Sequence, residues 1–119
     1  MKLNELVKTM SGYLSEQTII DFLLLSRAFE DTRYSMMRRK AVDKITAILI
    51  AAAKNKELFY DVTKWGEDHK IASKATFSRR KDFLKKLGII SEQNVETPFG
   101  RPKIRMLLDE KKLKEHFGV

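Results

Sequence analysis

The sequence predicts a mainly α-helical domain that closes on a small β-hairpin, preceded by a helical extension. Three observations carry that expectation. Apolar residues recur at helical spacing from Leu3 to Ala52. A helix with an N-capping serine, Ser73, runs to a glycine stop at Gly88. After it come two β-prone runs separated by a turn holding Pro98, Gly100 and Pro102. With 119 residues, 43% hydrophobic and 34% charged, the chain has a modest core and enough apolar surface to fold. Its net charge of +8 favours a polyanionic partner: DNA, RNA or an anionic membrane.

Taken in order, Leu3, Leu6, Val7 and Met10 form the apolar stripe of a short helix stopped by Gly12. Ser15 caps a second helix, in which Ile19, Ile20 and Phe22 to Leu25 leave almost no polar face. Such a helix is expected to be covered on several sides, a second copy of the chain being one cover. Asp31-Thr32 and Ser35 mark an interruption, and a long helix follows with Val42, Ile45, Ile48, Leu49 and Ala52 on one stripe, ending near Asn55-Lys56. Leu58 to Tyr60 reads as one short strand. Asp61 caps a helix that carries Val62, Trp65 and Gly66 and ends near His69. The capped helix 73–88 comes next. Ile89-Ile90 opens a strand, residues 97–102 turn, and Lys103 to Leu108 runs back. Asp109 caps a last helix, Glu110 to Phe117. Short connections make 34–108 one unit, with 1–33 as an N-terminal extension and candidate dimerisation segment, and 109–119 as a short C-terminal helix.

Charge is concentrated. Residues 73–88 hold six Lys/Arg against one Asp, and 98–108 hold three against none, while 89–97 are acidic. At about 100° per residue, Phe77, Phe83, Leu84 and Leu87 share one side of the basic helix. Lys74, Ala75, Ser78, Asp82 and Lys85 share the other, flanked by Arg79 and Lys86. A major groove admits one helix, whose N-terminal half reaches base edges. Lys74, Ala75, Ser78 and Arg79 are therefore the candidate base-edge contacts, with Arg79 suited to guanine. Thr76 and the helix N-terminal N–H groups suit a phosphate. Lys81, Lys85 and Lys86 suit the DNA backbone. In the hairpin, Gly100 and the flanking prolines place Arg101 at the tip of a stiff turn, with Lys103 beside it, as a narrow minor groove would require. Arg80 falls near the apolar side and has no role in this scheme.

The run TFSRRKDFLKKLGII, with a hairpin closing on FGRPKIRMLL, resembles the recognition helix and wing of winged helix-turn-helix proteins. MarR- and ArsR-like regulators and their archaeal relatives share that pattern, over roughly residues 36–108. The resemblance implies a winged helix-turn-helix, with strand 58–60 beside the wing. It implies a sequence-specific, double-stranded DNA-binding transcription regulator, acting as a homodimer. The recognition helix 73–88 would lie in the major groove, and the wing 97–103 at the minor groove or backbone. A winged helix can also serve as a protein-interaction module of a multisubunit assembly, although such a module needs no basic recognition helix. A nonspecific nucleic-acid or chromatin-binding protein is the third reading, separated from the first by the lack of a sharp sequence preference.

Other chemistry finds little support. There is no cysteine, and His69 and His116 are the only histidines, without carboxylates at metal-ligand spacing. The few glycines do not form a phosphate loop, so no enzyme, metal or cofactor is expected. Trp65 reads as core, and Glu67-Asp68 as solvated helix surface. Met36-Met37 with Arg38-Arg39-Lys40 suits a membrane-surface patch or a helix start crossing a DNA backbone. The N-terminus does not resemble a signal peptide, and Ile19–Leu25 and Ile45–Ala53 are far shorter than the roughly 20 residues of a membrane span. A soluble, cytoplasmic protein is the expectation.

Overall fold

One helix, α3 (Lys44–Lys54), is the axle of the fold, and every residue from Thr46 to Ala53 is buried. The computed structural model describes residues 3–32 and 44–119. The expected single stripe is therefore a helix buried all round. The reason is side-chain size: Ala47, Ala51, Ala52 and Ala53 let neighbours approach the faces that Ile48, Leu49 and Ile50 do not fill. Val42 of the expected stripe, the interruption at Ser35 and the basic run Arg38-Arg39-Lys40 lie outside the described residues.

Of the two N-terminal helices, α1 (Leu3–Met10) and α2 (Glu16–Thr32), α2 packs along α3, and α1 adds Leu6 and Met10 to the same core. The Ser15 hydroxyl accepts the Thr18 N–H at 3.3 Å, the cap the sequence predicts. A residue 42 positions on reinforces it: Glu57 Oε1 accepts the Ser15 N–H at 3.1 Å and the Thr18 hydroxyl at 2.7 Å. Further along α2, the buried Asp21 accepts from Asn55 Nδ2 at 2.8 Å and faces Lys54 Nζ at 3.5 Å, so a polar clamp fixes α2 to the end of α3. Thr18, Asp21, Phe22 and Phe29 point inward. Ile20, Leu23 and Leu24 point outward, with Leu24 61% exposed. The helix expected to be covered on several sides thus keeps an open apolar face within one chain.

The remaining elements are β1 (Leu58–Phe59), α4 (Val62–Asp68), α5 (Lys74–Lys86), β2 (Ile90–Val95), β3 (Lys103–Leu108) and α6 (Glu110–Phe117). Among the described residues, six helices and one small antiparallel sheet of order β1-β3-β2 make a mostly helical winged helix-turn-helix. The hairpin register runs from Ile90 opposite Leu108 to Val95 opposite Lys103. This register buries Ile90 and Met106 against the core.

Among the described residues, three helices end in the same way. After α5, Gly88 takes φ +75°, its N–H donates to Lys85 C=O, and Ile89 N–H donates to Leu84 C=O. This is a Schellman close. The ends of α3 and α4 repeat it with lysines in the left-handed position, Lys56 (φ 54°) and Lys70 (φ 58°). Asp109 caps α6 through the Lys112 N–H at 3.1 Å. The Phe117 ring meets Phe29 of α2 at 5.5 Å, so the segments before and after the hairpin unit share its core. Among the described residues, no helix is long and apolar enough to cross a membrane.

Candidate nucleic-acid interface

The angle between α4 and α5 is set by one close approach. Gly66 faces the fully buried Phe77 ring, and a Cβ added there would lie closer than 3.0 Å to Cε2, Cζ and Cδ2. Only glycine lets the two helices seat at this depth. Trp65 borders the same contact, edge-on to Phe77 at 6.5 Å and to Phe59 at 5.2 Å. Asp61 caps α4 by accepting the N–H groups of Thr63 and Lys64 and the Thr63 hydroxyl at 2.6 Å. The Thr63 hydroxyl contributes most to holding this carboxyl below its ordinary pKa, followed by the two backbone donors and the nearby Lys74 charge, against the opposing effect of partial burial.

At the start of α5, Ser73 accepts the Thr76 N–H at 3.2 Å and its hydroxyl lies 2.9 Å from that of Thr76. Glu67 Oε2 accepts the Lys74 N–H at 3.2 Å. The Lys74 and Thr76 N–H groups, two of the donors that the sequence offers to a phosphate, are thus engaged within the chain, and Glu67 adds a negative charge at the helix N-terminus. Along α5, Phe77 and Leu84 are buried and Phe83 and Leu87 half-buried. Lys74, Ala75, Arg79, Asp82, Lys85 and Lys86 are exposed, and Ser78 is half-buried between them. Among the described residues, Arg79 has no acidic partner. Arg80 is half-buried and engaged rather than free.

Two of the helix lysines are tied to the wing. Lys85 Nζ meets Glu92 Oε1 at 2.6 Å, and Lys81 Nζ lies 3.7 Å from Glu92 Oε2. The Glu92 side chain, on β2, is only 17% exposed. This forked ion pair joins the C-terminal half of α5 to the hairpin, and those two lysines are partly neutralised where the sequence offers them to a DNA backbone.

The wing loop differs from expectation at its tip. Thr97 Oγ1 donates to the carbonyls of Phe99 (3.0 Å) and Arg101 (3.2 Å), which folds the loop around its own hydroxyl. The side chain thrown outward is Phe99, 90% exposed. Arg101 lies back over the ring of Tyr60, its Cζ 5.2 Å from the centroid, and Lys103 Nζ lies over the same ring at 5.0 Å. The reason is the ring of Tyr60, the residue directly after β1, which pairs with β3. Tyr60, Glu92 and Phe99 take part in this surface without having been singled out from the sequence. Phe99 had a local signal, an aromatic between proline and glycine in a turn. The other two act through pairings that only the sheet creates.

The lysine and arginine side chains brought together here are Lys74, Arg79, Lys81, Lys85 and Lys86 on one helix, and Arg101 and Lys103 at the wing's base. A family model described as "Transcriptional regulator TbsP-like, C-terminal HTH domain" matches residues 2–117. The match supports a helix-turn-helix regulator in general and not MarR- or ArsR-like proteins in particular. Comparison with curated proteins and with solved structures found no match.

Proposed function

This chain belongs to the family of TbsP-like transcriptional regulator C-terminal HTH domains, and from that membership we propose that it reads a specific duplex DNA sequence with α5. The family assigns the chain to DNA-binding transcription regulation. One observation supports the finer reading: the N-terminal half of α5 presents Lys74, Ala75, Ser78 and Arg79 together on its outer side while Phe77 anchors its inner side. In this reading those four residues face base edges in the major groove, with Arg79 bidentate to guanine. Lys86 follows the backbone, Lys81 and Lys85 join it where phosphate displaces Glu92, a phosphate at Thr76 replaces the Ser73 contact there, and Arg101 and Lys103 carry the wing to the minor groove or the flanking phosphates.

The open face of α2 (Ile20, Leu23, Leu24) supports a homodimer in which a second copy covers it. Two recognition helices would then meet half-sites about 34 Å apart.

The test is selection of a randomised duplex pool, with fluorescence anisotropy of enriched and random duplexes across a salt series. The reading expects one enriched, two-fold symmetric site and a steep salt slope. Arg79→Ala should relax preference at one base position, whereas Arg101→Ala should weaken all sequences alike. Equal losses on specific and random DNA for both variants would remove direct readout by α5.

A further inference from the structure

A cavity of about 360 Å³ lies beside the interface, between the α1–α2 turn, β1, α4 and the base of the wing. Its size falls in the range of small-molecule sites. The walls are aromatic: Tyr13 packs against His69 at 3.9 Å with the rings tilted by 36°, Trp65 stands edge-on to His69 at 5.3 Å, and the half-exposed Tyr60 lines the other side. The charges facing it do not balance locally. Asp61 caps α4 through Oδ1 alone and keeps its negative charge at the cavity wall, and Asp68 pairs with Lys64 at 3.5 Å. Arg101 and Lys103 gather over Tyr60 with no acidic partner among the described residues.

The lining thus keeps an excess of one positive charge, with Arg101 and Lys103 side by side at the mouth of an aromatic cavity, and that defines a ligand by chemistry. We propose that this cavity binds a small aromatic carboxylate, its ring among Tyr13, His69, Trp65 and Tyr60 and its carboxylate on Arg101 and Lys103. The rings favour an aromatic body over a bare phosphate. The paired cations favour an anion over a neutral or cationic analogue, because charge-assisted bonds are the stronger kind. Such a ligand takes the two wing cations that the DNA reading uses. It should therefore weaken DNA binding, and DNA should weaken its binding by the same factor. That coupling rests on the proposed function; the ligand site does not.

Trp65 is the only tryptophan of the chain and lines the cavity, so its emission reports occupancy directly. Phenylacetate, 2-phenylethanol, phenethylammonium and inorganic phosphate are titrated separately into the DNA-free protein, with calorimetry in parallel. The expected result is saturable binding of phenylacetate, at least about tenfold tighter than the alcohol or the ammonium. Arg101→Gln with Lys103→Gln should remove that preference. Tyr13→Ala should weaken phenylacetate several-fold and leave DNA affinity without ligand unchanged. Equal binding of the three aromatics would overturn the charge recognition. Saturation by phosphate but not phenylacetate would make this a DNA-backbone site and overturn the proposal, as would silence in both readouts. If phenylacetate binds and no duplex does, the DNA reading fails while the ligand site stands.

Discussion

Replacing Gly66 by alanine sets two physical effects against each other. In an open helix the change favours folding by about 1 kcal/mol, because glycine has more backbone freedom to lose. Here the new methyl enters the Phe77 ring, inside 3.0 Å of three of its atoms, where ordinary contact begins near 3.4 Å. Phe77 is fully buried, so the ring has no solvent to retreat into, and α5 must shift with it. Overpacking of this kind costs about 1–3 kcal/mol and occasionally more. With several ring atoms in conflict the upper part of that range applies, giving a net loss of roughly 1–2 kcal/mol. The measurement is urea denaturation followed by Trp65 emission and by far-ultraviolet circular dichroism. Gly66→Ala should lower the midpoint with an unchanged slope. The double variant Gly66→Ala/Phe77→Leu should lose less than the sum of its parts, since the smaller side chain vacates the space the methyl needs. A Gly66→Ala protein as stable as the parent, or more so, would refute the close-packing account of the α4–α5 angle.

Four further outcomes follow from the same geometry. Glu92→Gln frees Lys81 and Lys85, so the anisotropy salt slope should steepen by about 0.9 for each lysine that then meets a phosphate, and random duplex should bind more tightly; an unchanged slope would mean neither lysine faces DNA. Lys70→Gly relieves a left-handed backbone at the α4–α5 turn and should raise the urea midpoint, by roughly 0.5–1 kcal/mol of stability. The Asp61 carboxyl titrates below its usual value in the fold, so its contribution is complete above about pH 4 and is lost as pH falls through the folded value; Asp61→Ala should cost about 1 kcal/mol at neutral pH and flatten the acid limb of the stability profile. Leu24→Asp, on the open face of α2, should yield a monomer in equilibrium sedimentation with little change in stability, and a monomeric parent protein at micromolar concentration would remove the dimer proposal.

What could be read from the sequence was local, and the reason is physical. Ser15, Asp61, Ser73, Asp109 and Gly88 each act within four residues of themselves, so the side-chain type alone announces a helix end. The β-prone runs on either side of the Pro98–Pro102 turn located the hairpin strands for a similar reason. Lys56 and Lys70 hide the same Schellman geometry, because lysine carries no signal for a left-handed backbone and its strain is offset by the surrounding hydrogen bonds. The all-round burial of α3 was hidden by its alanines, which an apolar-stripe argument passes over. At the interface, the spacing rule placed Lys74, Ala75 and Arg79 outward correctly. It could not show that Lys81 and Lys85 would meet Glu92, or that Arg101 would turn back onto Tyr60, since both partners arrive through the sheet.

These cross-element pairings change what the charge means. Residues 73–88 carry a formal +5, yet Glu92 engages two of those cations and Glu67 sits at the helix start. The cations of α5 left without an ion pair among the described residues are Lys74 and Arg79 in the half suited to base edges and Lys86 at its end, joined by Arg101 and Lys103 at the wing's base. A helix whose cations were all free would bind any duplex strongly, and specific binding would then compete with a large nonspecific background. Anchoring Lys81 and Lys85 to the wing lowers that background and also fixes the hairpin against the helix. The same carboxylate thus limits affinity and sets the geometry, which is why the salt slope and the sequence preference of Glu92→Gln should move in opposite senses.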